Sequence, residues 1–285
     1  MITPGEPRLL ALDLDGTLLG PDGDVPPRTR AAIERLRAGG VHVVLASGRA
    51  PAGMRRLCQE LGLDDPQITM QGALIASPLT GSVLAAWRLE PAEARAHIAF
   101  ARQVGAVPLL CFADGFRSEV LTHELKAWLE TYEEPLPLIV PNLDRLVEER
   151  PIKTYLYTPR GTHEQVWDAA NRAFHGRATV TSGDEDSVEL LPPGASKGKA
   201  LRTLAAHLRI PLAEVAAIGD GRNDIAMLRL AGRSAAMAQA LAEVREAADL
   251  VVPSNSEEGV LEALERFYPS LARLSAAASP AIREA

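Results

Sequence analysis

Cysteine is scarce in this chain: Cys58 and Cys111 stand far apart and in no metal-ligand spacing. A disulfide scaffold is therefore not indicated. The six histidines form no HxxxH or HxxEH pair, so a zinc site is not expected. A basic excess is also missing, because the formal net charge is −7. Nothing here tracks a nucleic-acid backbone, and nucleic acid is not an expected partner. An anionic ligand would have to be held by local cations, a metal or helix N-termini. Long apolar runs are absent, so no membrane span or membrane partner is expected. The opening residues, MITPGEPRLL, lack a basic start joined to an apolar stretch. A secretory signal is thus not expected, and the cytoplasm is the expected compartment.

What is present points to a folded α/β chain. Its 285 residues exceed the usual single-domain size, and 47% hydrophobic residues can supply a large core. RLLALDL (8–14) is apolar from Leu9 up to its one acid, Asp13, as in a strand covered on both faces. Turn signals follow, then a helix over 29–38 ended by Gly39–Gly40, then a second buried-type strand, VHVVLAS (41–47). Strand, helix, strand in this order implies a parallel pair with a right-handed crossover. The last third resumes the pattern with a helix over 197–208, a strand over 215–220 and a helix over 223–231. Between about 83 and 189, helical stretches mix with hairpin signals, including the Asp114–Gly115 turn of CFADGFRSEV. This reads as an α+β insertion inside an α/β domain. The division expected is core over 1–82, inserted domain over 83–189, core over 190–270, and a loosely packed tail over 271–285.

Four stretches carry chemistry, and each follows a strand or opens a helix. Ligands bind outside the carboxyl ends of strands in open α/β sheets, so such stretches can meet. DLDGTL (13–18) sets Asp13 and Asp15 two residues apart, which on a strand means one face. Two like charges that close after a buried strand are costly unless compensated. LASGR (45–49) offers the Ser47 hydroxyl and backbone N–H groups to an anion. PPGASKGKAL (192–201) puts Lys197 near a helix start, where a cation is unfavourable unless an anion sits there. IGDGRNDIAML (218–228) gathers Asp220, Asn223 and Asp224 at a helix N-terminus, more polar groups than capping requires. Asp22 and Asp24 are too few for a calcium loop, and Asp184, Glu185 and Asp186 read as a solvated loop. Arg117, Lys153, Tyr155 and Tyr157 are conceivable substrate contacts in the insertion, with solvated charges and half-buried strand aromatics as the plainer reading.

Together the four stretches resemble the haloacid dehalogenase (HAD) superfamily, in its Cof-type branch (subfamily IIB). QGALI (71–75), AAMAQALAEVREAADLVV (235–252) and SNSEEGV (254–260) resemble that branch as well. Two departures stand out: Gln71 replaces the usual Asn before Gly-Ala, and Ala238–Gln239 replaces the usual Gly-Asn. The resemblance implies a Rossmann-like parallel-sheet core with an inserted α+β (C2-type) cap domain that selects a small phosphorylated metabolite. It further implies Mg²⁺ held by the side chains of Asp13 and Asp220 and the backbone carbonyl of Asp15, with Asp224 either a nearby ligand or a group just behind the ligands. Asp13 is then the nucleophile that forms an aspartyl-phosphate, and Asp15 carries the proton. Ser47, Lys197, Asn223 and backbone groups including Leu14 and Gly48 hold the phosphate oxygens. A sugar phosphomutase on the same core and a phospho-accepting signalling domain are the rival readings.

Overall fold

The computed structural model describes Thr3 and residues 5–271; the expected loose tail lies outside them. The chain divides into two compact units, Met1–Leu45 with Arg202–Ala285, and Ala46–Leu201. The bounds expected for the insertion, 83 and 189, both fall inside the second unit.

In the first unit a five-stranded sheet runs in the order Leu250–Val252, Arg233–Met237, Val215–Gly219, Leu9–Leu12, His42–Leu45. Every neighbouring pair is parallel. The two central strands, LLAL and VAAIG, are buried at every residue, which explains why they read as unbroken apolar runs. Helix Pro27–Ala38 starts on a proline, which suits the first helical position. It buries Thr29, Ala32, Ile33 and Leu36, positions on one helical face. Helix Gly259–Phe267 buries Val260, Leu261, Ala263, Leu264 and Phe267.

The sheet register positions the acids. Leu12 pairs with Ile218, and the Asp13 N–H extends the ladder to the Ile218 carbonyl at 3.0 Å. Asp13 and Asp220 are therefore the first residues beyond two adjacent strand ends. The chain stays extended through Asp13, however, and only residues 14–18 form a tight turn, with Gly16 at φ 79°. The expectation that Asp13 and Asp15 share one face of a strand is corrected: Asp13 is still extended and bonded to the sheet, whereas Asp15 already lies in the turn. The helix expected over 223–231 is also shorter, a 3₁₀ turn Arg222–Asp224 followed by Ile225–Leu228.

The second unit contains an antiparallel sheet of Gln67–Thr69, Leu74–Ala76 and Val83–Ala86. It also contains a six-stranded sheet in the order Thr179–Thr181, Ser187–Leu191, Lys153–Tyr157, Val107–Phe112, Gly115–Ser118, Leu138–Ile139. Both faces of this larger sheet are covered. Leu156, Val188 and Leu190 pack with Val166, Ala170 and Phe174, while Leu109, Cys111, Tyr155 and Leu191 pack with Phe116, Leu125 and Trp128. Strand alternation therefore aims Lys153 and Glu189, like Tyr155 and Leu191, at the second of these faces. The expected hairpin forms with Phe112 opposite Gly115, so the turn is Ala113–Asp114 and Gly115, at φ 131°, begins the return strand. Among the described residues, no helix is long and apolar enough to cross a membrane.

Candidate active site

In the first unit Asp13, Asp220 and Asp224 each bring a carboxylate oxygen within 4.8 Å of the others. Asp13 is 6% exposed and Asp224 is fully buried, so water screens this charge poorly. The loops are built for the approach. Gly16 lies against the Asp220 carboxylate, and a Cβ there would come 3.0 Å from Asp220 Cγ. Its positive φ also favours glycine. The Thr17 hydroxyl donates to Asp220 Oδ1 at 2.9 Å. Asp224 Oδ2 accepts the N–H groups of Asp220 and Gly221 at 3.0 and 2.9 Å, which fixes the turn between strand and helix. Gly219 must be small because its Cβ would sit 2.5 Å from Asp224 Cγ. Asn223, half-buried, has its side-chain oxygen against Gly221. Leu14 is buried and its carbonyl accepts Leu19 N–H at 3.0 Å. Asp15 is half-buried and its carboxylate is not one of the three that converge.

The second unit holds the other expected residues. Ser47 N–H donates to the Ile68 carbonyl, and Gln71 N–H returns to the Ser47 carbonyl. Ser47 Oγ accepts Arg49 N–H at 3.2 Å. Lys197 is 1% exposed and is the first residue of helix Lys197–Leu208, with Ser196 Oγ accepting Lys199 N–H at 3.2 Å. Gly72, at φ 83°, presses against the backbone of Ser196 and Lys197, and a Cβ there would come 2.6 Å from Lys197 N. Lys199 is exposed, its Nζ 5.1 Å from the Trp87 ring centre.

Several polar groups act differently from their sequence-based reading. Lys153 is fully buried rather than solvated: Nζ donates to the Gly48 carbonyl at 2.9 Å and pairs with Glu189. Its head lies 3.7 Å from the Tyr155 ring centre. The two departures from the family pattern both touch a motif loop. Gln71 donates to Glu189 Oε1 at 2.7 Å and packs against Gly48, and Gln239 donates to the Gly16 carbonyl at 2.6 Å. Asp184 is not fully solvated, since it accepts from Asp186 N–H and the Ser187 hydroxyl, and burial raises its pKa to about 6. Asp22 and Asp24 are exposed in a surface turn, as expected. Burial pushes both cysteine thiols up to about 12, so neither is a nucleophile at neutral pH.

Glu134 was not singled out in the sequence. It is 6% exposed, and its two oxygens lie 2.9 and 3.2 Å from Ala50 N–H, just beyond the Ser47–Arg49 loop. Burial raises its pKa from 4.5 to about 7, against the lowering effects of Ala50 N–H, Lys153 and Arg49. A carboxyl raised on folding costs nothing below its unfolded pKa and disfavours the folded state increasingly as pH rises to the folded value. Wild-type stability should therefore fall, relative to E134Q, between about pH 4.5 and pH 7. Melting temperatures of the two proteins across that range check this; parallel curves would refute it.

The sequence matches the family described as haloacid dehalogenase-like hydrolase over residues 10–264. It is 31% identical over 247 residues to the HMP-PP phosphatase of Cronobacter sakazakii, covering 83% of this chain and 86% of that one. It is also 28% identical over 267 residues to the chloroplastic endoribonuclease YBEY of Arabidopsis thaliana, covering 90% of this chain but 45% of that protein, so it spans less than half of this relative. Among solved structures, a haloacid dehalogenase-like hydrolase from Bacteroides thetaiotaomicron superposes with TM-score 0.81 at 25% identity, covering 92% of this chain and 100% of that one.

Proposed function

The chain belongs to the haloacid dehalogenase-like hydrolases, and from that premise we propose that it hydrolyses small phosphomonoesters through an aspartyl-phosphate intermediate. The observation that carries this reading is the convergence of Asp13, Asp220 and Asp224 beyond two adjacent parallel strands. Three carboxylates this close repel one another, and their oxygen-only donor set suits a hard divalent cation. Mg²⁺ would be held by Asp13, Asp220 and Asp224, with the carbonyl of Asp15. When bound it would neutralise charge between an anionic nucleophile and an anionic phosphate.

In the first step a carboxylate oxygen of Asp13 attacks phosphorus and the bond to the leaving oxygen breaks. Asp15 gives its proton to that oxygen, releasing the alcohol. In the second step water attacks phosphorus, Asp15 takes the water proton, and the Asp13–phosphorus bond breaks to release phosphate. Thr17 keeps Asp220 oriented, supported by its 2.9 Å hydrogen bond. Ser47, Lys197, Asn223 and backbone N–H groups such as those of Leu14 and Gly48 bind the phosphate oxygens.

The test is inorganic phosphate release from p-nitrophenyl phosphate and a panel of small phosphorylated metabolites, with Mg²⁺ and with EDTA. Multiple turnovers with Mg²⁺ and background rates with EDTA are expected. Equal rates in both would overturn the metal assignment. A single stoichiometric phosphorylation would favour a signalling domain, and an isomeric sugar phosphate in place of inorganic phosphate would favour a mutase.

A further inference from the structure

The buried ion pair Lys153–Glu189 does more than fill the second unit's core. Lys153 Nζ donates to the Gly48 carbonyl at 2.9 Å, and Tyr155 Oη donates to the same carbonyl at 3.2 Å. The peptide group is planar and trans, so fixing that carbonyl aims the Arg49 N–H the opposite way. That N–H meets Ser47 Oγ at 3.2 Å. Ser47 accepts there and keeps its own hydroxyl hydrogen to donate.

Glu189 reaches the same loop by a second route. Its Oε1 accepts from the Gln71 side chain at 2.7 Å, and Gln71 N–H donates to the Ser47 carbonyl at 3.0 Å. Gln71 sits at φ 57° and ψ 26°, a left-handed conformation that is uncommon outside glycine and needs support. The next residue back, Met70, donates its N–H to the Arg49 carbonyl at 3.0 Å. The carbonyls of Ser47, Gly48 and Arg49 are thus all held by groups of this network or its adjoining turn. Gly48 leaves no room for a side chain there, because a Cβ would strike the Gln71 amide.

A fully buried ion pair is seldom the most stable way to fill a core. Apolar residues at 153 and 189 would fill the same space, but they would leave the Gln71 amide without its acceptor and the Gly48 carbonyl without its cationic donor. We propose that Lys153 and Glu189 are positioning residues that set the Gly48–Arg49 peptide and, through it, the Ser47 hydroxyl for the phosphate. This rests on the reading of Ser47 and Gly48 as phosphate contacts. Neither residue of the pair is assigned contact with substrate.

The test is the double variant K153M/E189Q. It removes both charges together, keeps the aliphatic stem at 153, and keeps a side-chain oxygen at 189 for Gln71. Circular dichroism and the melting temperature report the fold. Steady-state kinetics on p-nitrophenyl phosphate with Mg²⁺, and hydrogen exchange at the Arg49 amide, report the loop. The folded double variant is expected to lose about 10- to 100-fold in kcat, the scale typical of outer partners that orient a binding group. KM should change less, and Arg49 exchange should quicken. A folded double variant with wild-type kcat and wild-type exchange would overturn the proposal and leave the pair a packing role. Should K153M/E189Q fail to fold, K153M/E189L carries the test, since apolar residues fill the same space and remove both charges and the Gln71 acceptor. It is then expected to lower kcat and quicken Arg49 exchange, and a folded variant with wild-type kcat and wild-type exchange would overturn the proposal. Wild-type protein that releases no phosphate from any ester would instead sink the functional reading and this inference with it, an outcome that needs no variant to observe.

Discussion

D13N is expected to lose phosphatase turnover by on the order of 10⁴-fold or more while keeping its fold. Asparagine matches aspartate in shape, and the Asp13 backbone N–H keeps its 3.0 Å bond to the Ile218 carbonyl. The amide oxygen is too weak a nucleophile to attack phosphorus. The same change removes one of three carboxylates whose oxygens lie within 4.8 Å. The pair of measurements is phosphate release with Mg²⁺ and thermal melting in EDTA. Turnover retained in clean D13N protein would refute Asp13 as nucleophile, and a large drop in its melting temperature would assign Asp13 a structural role instead.

E189L is expected to be the most destabilising single change considered. Lys153 and Glu189 are 0% and 1% exposed, so removing the carboxylate strands a buried ammonium. Breaking a buried pair in this way typically costs about 3–5 kcal/mol. The Gln71 amide also loses its acceptor, a further cost that shares the same network and does not simply add. For a protein of this size the melting temperature should fall by roughly 6–20 °C. Differential scanning calorimetry checks this, and a melting temperature within error of wild type would mean that the ammonium finds another partner.

The parallel sheet was legible because its central strands are buried on both faces. LLAL and VAAIG show no alternation, and only a covered strand tolerates that. The convergence of Asp13 with Asp220 followed from their places after two such strands. The end of the first strand was not legible: DLDGTL alternates as a strand would, but Gly16 takes a positive φ and Asp15 is already in the turn. Asp224 was read as one polar group too many for capping, yet its Oδ2 does accept two backbone N–H groups. One carboxylate can orient a loop with one oxygen and face a cation with the other, a division that spacing alone does not reveal.

The buried network was the least legible part. A lysine in KTYLY reads as a solvated strand residue, and its partner Glu189 comes from another strand. Nothing local signals that both faces of that strand are covered. Gln71 and Gln239 were visible as departures from the family pattern. Their contacts with Glu189 and the Gly16 carbonyl show that each side chain is bonded into its surroundings rather than idle. The left-handed turn at Met70–Gly72 carried no clear sign beyond one glycine, because two of its three residues adopt positive φ without being glycine.

The central claim is that Asp13 carries the phosphoryl group during turnover. Rapid acid quench of the wild-type protein with a good phosphomonoester substrate and Mg²⁺, followed by peptide mass mapping, tests it most directly. A phosphoryl adduct on the peptide bearing Asp13, formed at the rate of the burst and absent from D13N, is the predicted result. Turnover with no covalent adduct, or an adduct on another residue, would contradict it.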